Sequence, residues 1–219
     1  MIASTFAELL EEYAHTQAED KHRNSWSWFL NEAKKIRTIT SQIKTNEISP
    51  TQAVVDKDVE KYPYKIFPKT VAGVDSIIGK MILFQYDAKH KATLPFWDQF
   101  PIGFPIKVYN NGYLMLNLHY LPEQYRANLM DSLYSLLINK EKLDDKSRLK
   151  ISYEVLTNNA RFRYYQPTIK RYLYNHVKSK WSVIPGDQWD VAMMLPLQRW
   201  QKASQATVWR DSMRKINKS

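Results

Sequence analysis

Cysteine is absent from this chain of 219 residues, which excludes a disulfide framework, a thiolate zinc site and a cysteine nucleophile together. Glycine is scarce, with five residues. None of them stands in a GxxxxGK(S/T) or GxGxxG loop, so the usual backbone cradles for nucleotide phosphates are missing and an ATP-driven function is disfavoured. No GxSxG elbow occurs either. The five histidines, His15, His22, His90, His119 and His176, include no pair four residues apart on one helical face, so neither a metal nor another cofactor is expected. No run approaches the roughly 18 consecutive apolar residues of a membrane span. The opening Met1-Ile2-Ala3-Ser4-Thr5-Phe6 lacks the charged and apolar blocks of a signal peptide, and the expectation is a cytosolic protein with no membrane partner.

What is present is apolar material and positive charge. Hydrophobic residues make up 44% and aromatics 13% of the chain, ample for a buried core at this length. The formal net charge is +10, and it is unevenly placed. Residues 1–140 hold 16 basic and 15 acidic side chains, whereas residues 141–219 hold 16 basic and 7 acidic ones. A concentration of cations in the last third points to a polyanion, with nucleic acid favoured over a merely solvated face.

Along the chain, apolar spacing predicts helices over residues 4–17 and 25–40, then a polar, proline-interrupted connector over 43–73. The run Lys80–Tyr86 reads as a strand left through the polar turn Asp87–Lys91. Two further apolar runs, Pro105–Tyr109 and Tyr113–Leu118, flank Asn110-Asn111-Gly112, the strongest short-range hairpin signal. The segment Pro95–Pro101 should cross the sheet as an aromatic loop. Pro122-Glu123 opens a helix running to about Asn139. Further helices are expected around 147–157, 168–178, 187–194 and 205–216, the last with Val208, Met213 and Ile216 as its buried stripe. The fold class is therefore α+β: a small antiparallel sheet, with a barrel-like curl as one form, flanked by N- and C-terminal helices. Its parts are residues 1–73 (helices and connector), 74–140 (sheet and packed helix) and 141–219 (a basic helical region integral to one compact domain).

The densest chemical signal is Arg161-Phe162-Arg163-Tyr164-Tyr165, followed by Lys170-Arg171-Tyr172 and by Lys178-Ser179-Lys180-Trp181. Arginine and lysine neutralise phosphates, and aromatic faces stack on unpaired bases for about 1–3 kcal/mol each. The candidate contacts are Arg161, Arg163, Tyr164, Tyr165, Lys170, Arg171, Lys178, Lys180 and Trp181. Arg210, Arg214 and Lys215 of the terminal helix join them. The competing reading makes the aromatics core residues and the cations a wet face. Catalysis has one weak candidate, Asp75 with Asp87-Ala88-Lys89 at a strand end, the pattern with which Mg²⁺-dependent nucleases hold a metal and orient water. No residue is assigned a catalytic role.

Three stretches carry a resemblance: Tyr86–Pro101 (YDAKHKATLPFWDQFP), Gly112–Pro122 (GYLMLNLHYLP) and Thr207–Ser212 (TVWRDS). Together they resemble a family of late virion proteins from large T-even-type contractile-tailed bacteriophages, the DNA end-protector family. The resemblance implies a protein that sits on the terminus of the packaged linear genome, helps finish the head for tail joining, and shields the injected end from host exonuclease. It implies linear double-stranded DNA ends and phage head or neck proteins as partners, with location in the virion and in the host cytoplasm during assembly and after injection. It assigns no residue as a DNA contact. The leading expectation is thus a non-enzymatic DNA-binding virion protein; a head-completion connector and a Mg²⁺-dependent nuclease are the alternatives.

Overall fold

The computed structural model describes residues 70–71, 77–134, 165–195 and 197–217. The helices expected over 4–17, 25–40 and 147–157 lie outside these, as do Asp75, Arg161, Arg163 and Tyr164.

The described residues form an α+β fold around a six-stranded sheet. Its strands are β1 (Thr70–Val71), β2 (Met81–Leu83), β4 (Ile102–Tyr109), β5 (Gly112–Asn117), β6 (Ile169–Leu173) and β7 (Trp181–Ile184). Their order across the sheet is β1-β7-β2-β4-β5-β6, and every neighbouring pair is antiparallel. The sheet is open rather than closed into a barrel, with β6 at one edge. A two-stranded ribbon pairs β3 (Trp97–Asp98) with β8 (Trp200–Gln201). The α-helices among the described residues are α1 (Glu123–Tyr134), α2 (Trp189–Ala192) and α3 (Gln205–Ile216).

The β4–β5 hairpin forms as the sequence predicts, but its turn differs. The two-residue loop is Asn110-Asn111, and Gly112 is already in β5, opposite Tyr109. Neither asparagine has a positive φ, so the turn is not the I′ form that favours Asn-Gly. Gly112 is needed for a different reason: a Cβ there would meet the carbonyl oxygen of Tyr172 at 2.1 Å. The backbone of β6 leaves no room for a side chain at this point.

The helix expected over 168–178 is replaced by β6 and a 3-10 turn at Tyr174–His176. Ile169, Tyr172 and Leu173 stand at helical spacing, and pairing with the free edge of β5 overrides that local signal. Alternation then buries Tyr172 in the core. Its ring lies edge-on to Phe84 at 5.3 Å and to Tyr86 at 4.8 Å and is stacked 5.8 Å from Tyr113. Ile77, Ile82, Ala88, Met115, Trp181 and Val183 belong to the same cluster. Elsewhere in the core Phe104 packs edge-on against the fully buried Trp189. The helix expected over 187–194 shortens to a 3-10 turn, Gly186–Gln188, and α2. The helix from Pro122-Glu123 forms as α1 to Tyr134, its expected continuation to Asn139 lying outside the described residues, and that over 205–216 forms as α3. Ser204 caps α3 by accepting from the Thr207 amide at 3.3 Å. Its buried stripe is Val208, Ser212 and Ile216, one step from the Met213 expected.

Candidate nucleic-acid interface

Three segments far apart in sequence close on one another below the sheet edge. Ribbon β3–β8 holds Asp98 inside the protein, where its carboxylate accepts from the amides of Phe100 at 3.0 Å and Arg199 at 3.1 Å. Oδ2 of Asp98 lies 2.5 Å from Nδ1 of His119, and both side chains are fully buried. Burial lowers the imidazole pKa, although Asp98 works in the opposite direction. The ring is therefore neutral, with its proton on Nδ1 facing the carboxylate. The indole of Trp209, on α3, donates to the carbonyl of His119 at 3.0 Å. Arg126, on α1, lies over the Trp209 ring at 5.8 Å and donates to the carbonyls of Leu121 at 2.8 Å and Met193 at 2.7 Å. The three stretches that carry the family resemblance thus meet in one buried polar network.

That network supports a cleft of about 520 Å³. One wall is the loop after β2, with Lys89, His90, Leu94, Phe96 and Trp97; the other is the hairpin turn at Asn111 and the edge strand β6. Tyr86, Tyr120 and Tyr172 also line it. Burial raises the pKa of all three phenols, so they stay neutral hydroxyls. Phe96 lies 6.0 Å from the Tyr120 ring and is partly open to solvent, as is Trp97.

The cations around the cleft are held in different ways. Lys89 and His90 are exposed. Lys170 is half-buried: its ammonium sits 4.4 Å from the centroid of the Tyr120 ring and donates to the carbonyl of Pro167 at 2.7 Å. Burial, with a further push from the nearby Lys215, lowers its pKa to about 8. Arg171 lies on the Tyr109 ring at 4.4 Å and donates to Oδ1 of Asn111 at 2.6 Å. This fixes a planar fork at the tip of the hairpin. Lys202 clamps the cleft wall from behind. Its ammonium donates to the carbonyls of Lys91, Ala92 and Leu94 and lies 5.9 Å from the Trp97 ring. Lys202 has φ 67°, a left-handed conformation that costs a lysine roughly 1 kcal/mol or more.

Of the residues that the sequence nominates, Lys170 and Arg171 line the cleft, and Lys215 is close enough to Lys170 to affect its charge. Arg214 and Lys215 are exposed but share the carboxylate of Asp211, at 3.0 and 2.7 Å, while Arg210 is exposed. Lys178 and Lys180 are exposed on the segment leading into β7. Tyr165 and Trp181 do not offer the open stacking faces expected of them. Both are buried, and the Trp181 indole donates to the Tyr113 hydroxyl at 3.0 Å. Lys89 appears in the sequence only as a nuclease candidate, and His90, Phe96, Trp97 and Lys202 are not nominated as site residues at all. The interleaved run Lys89-His90-Lys91 followed by Phe96-Trp97 carries the same cation-and-aromatic signal as residues 161–181. Asp87, the nuclease candidate, pairs with Lys91 at 2.5 Å. Among the described residues no three His, Cys, Asp or Glu side chains converge to hold a metal ion.

These features define an open-sheet α+β protein with a basic, aromatic-walled cleft at the sheet edge. The chain belongs to the family described as Phage T4 terminal DNA protecting protein, whose pattern matches residues 3–214. No curated protein and no solved structure matches the chain.

Proposed function

We propose that this protein is a non-enzymatic virion component that binds and protects the ends of a packaged linear double-stranded DNA genome and assists completion of the phage head. The observation that carries the reading is the family match over residues 3–214, to proteins described as protecting terminal DNA. The geometry agrees with it. Cations from β6 and from the loop after β2 gather around one cleft, where they can neutralise phosphates, and the partly open rings of Phe96 and Trp97 supply stacking surface. Lys178, Lys180, Arg210, Arg214 and Lys215 extend the exposed charge beyond the cleft and suit backbone contacts that carry no sequence information. Arg161, Arg163 and Tyr164 join them as proposed contacts on charge and stacking alone. Phage head or neck proteins are the proposed protein partners, and the virion is the proposed location, with passage through the host cytoplasm.

The test is equilibrium binding to a linear duplex and to a covalently closed circle of the same sequence at physiological salt. Tighter binding of the linear form supports end recognition. Equal affinity, falling steeply with salt for both, removes end recognition and leaves a general polyanion surface.

A further inference from the structure

We propose that the cleft receives the terminal nucleotide of a DNA strand, with its base against Phe96 and Trp97 and its phosphate between Lys89 and Lys170. This assignment deepens the end-protection reading and rests on it. Three properties of the cleft carry it. Its size, about 520 Å³, lies in the range of small-ligand sites and suits a single nucleotide. Its walls combine partly open aromatic rings with cations, the pairing that suits a base and a phosphate together. And Lys170 does not behave as a solvated edge lysine. Charged residues on an edge strand commonly serve only to block strand addition, and exposed Arg171 fits that role. Lys170 instead lies half-buried in the cleft lining with its ammonium over the Tyr120 ring. An anion placed there would restore the interactions that burial takes from the ammonium.

The recess also supplies a reason for an end to be preferred over the interior. A nucleotide inside a duplex enters a recess only by leaving its stack and its partner, which costs a few kcal/mol. A terminal nucleotide, frayed or on an overhang, has already lost one stacking neighbour and enters with little of that cost. Discrimination then follows from shape, without base-specific hydrogen bonds, as a protector of genome ends of any sequence requires.

The test uses the full-length protein and a duplex labelled internally, prepared with short single-stranded overhangs or with both ends closed by hairpin loops. The wild type, Lys89→Gln and Lys170→Gln are compared, with deoxynucleoside monophosphate as a competitor. Lys89 is exposed, so its variant keeps the test valid if the Lys170 variant folds poorly. The proposal predicts that the wild type prefers open ends, that each variant loses about tenfold in affinity for them, and that affinity for the capped duplex changes little. It also predicts that millimolar mononucleotide competes with the open end. If the wild type prefers open ends and both variants keep that preference in full, the cleft is not the end site, and end protection stands on another surface. If the wild type shows no preference, the underlying reading fails. If mononucleotide binds tightly and open-ended DNA does not displace it, the cleft serves a free nucleotide and the proposal is overturned.

Discussion

The carboxylate of Asp98 and the imidazole of His119 are 2.5 Å apart and wholly enclosed, and this pair ties the ribbon β3–β8 to the turn after β5. Asp98 also accepts two backbone amides, so its removal leaves two buried donors and one partly buried donor without this acceptor. Asp98→Ala is expected to cost about 3 kcal/mol or more of folding stability, read as a lower denaturation midpoint in urea. A change below about 0.5 kcal/mol, the range of ordinary surface substitutions, would show that the pair contributes nothing net.

The same pair makes stability depend on pH. Burial lowers the pKa of His119 below its ordinary value, while an unfolded histidine titrates at about 6.5. Below that pH the unfolded chain takes up a proton that the native chain resists, and stability falls as pH falls toward the native value. The stabilising contribution is fully present above about pH 6.5. Thermal melts should drop between neutral pH and about pH 5, and His119→Gln should flatten that part of the profile relative to wild type. An unchanged slope in the variant would assign the acid sensitivity to other groups.

Lys202 occupies a left-handed conformation and binds three carbonyls of the loop after β2. Lys202→Met should free those carbonyls to water. Faster hydrogen exchange is expected across residues 91–94, together with weaker DNA binding and little change in global stability. Unaltered exchange in that loop would contradict a clamp.

Lys170 gives DNA binding a pH dependence of its own. Its pKa is lowered to about 8 by burial, with Lys215 adding to the effect, whereas an unfolded lysine holds its proton to about 10.4. Between these values the unfolded chain binds more protons, so this group makes stability rise with pH. DNA affinity moves the other way, because deprotonation removes a phosphate partner. Affinity should fall several-fold as pH rises through about 8, and Lys170→Arg, which remains charged, should abolish that fall. A wild type with constant affinity across this window would exclude Lys170 from the interface.

Much of this architecture was legible in the residues. The hairpin announces itself by two apolar runs around Asn110-Asn111-Gly112, and α3 by apolar positions at helical spacing; both are local signals, and both elements formed. Strand β6 was not legible, because five residues with a tyrosine, a leucine and two cations fit a helix face as well as an edge strand. The free edge of β5, far away in sequence, settled the matter. The candidate site divided along the same line. Lys170 and Arg171 followed from composition, but whether a nearby aromatic offers its face to a ligand depends on packing, which placed Trp181 in the core and left Phe96 and Trp97 partly open. Nothing in the spacing of Asp98, His119 and Trp209 reveals that they meet. They became visible together only as parts of stretches resembling one family.

Shielding of DNA ends is read out by exonuclease protection. Linear duplex DNA is incubated with the purified protein and then challenged with an end-dependent exonuclease, with a Lys89→Gln/Lys170→Gln double variant alongside. The wild type should preserve the full-length strand at concentrations where the double variant permits digestion. Digestion at the same rate with wild type, with the variant and without protein would contradict it.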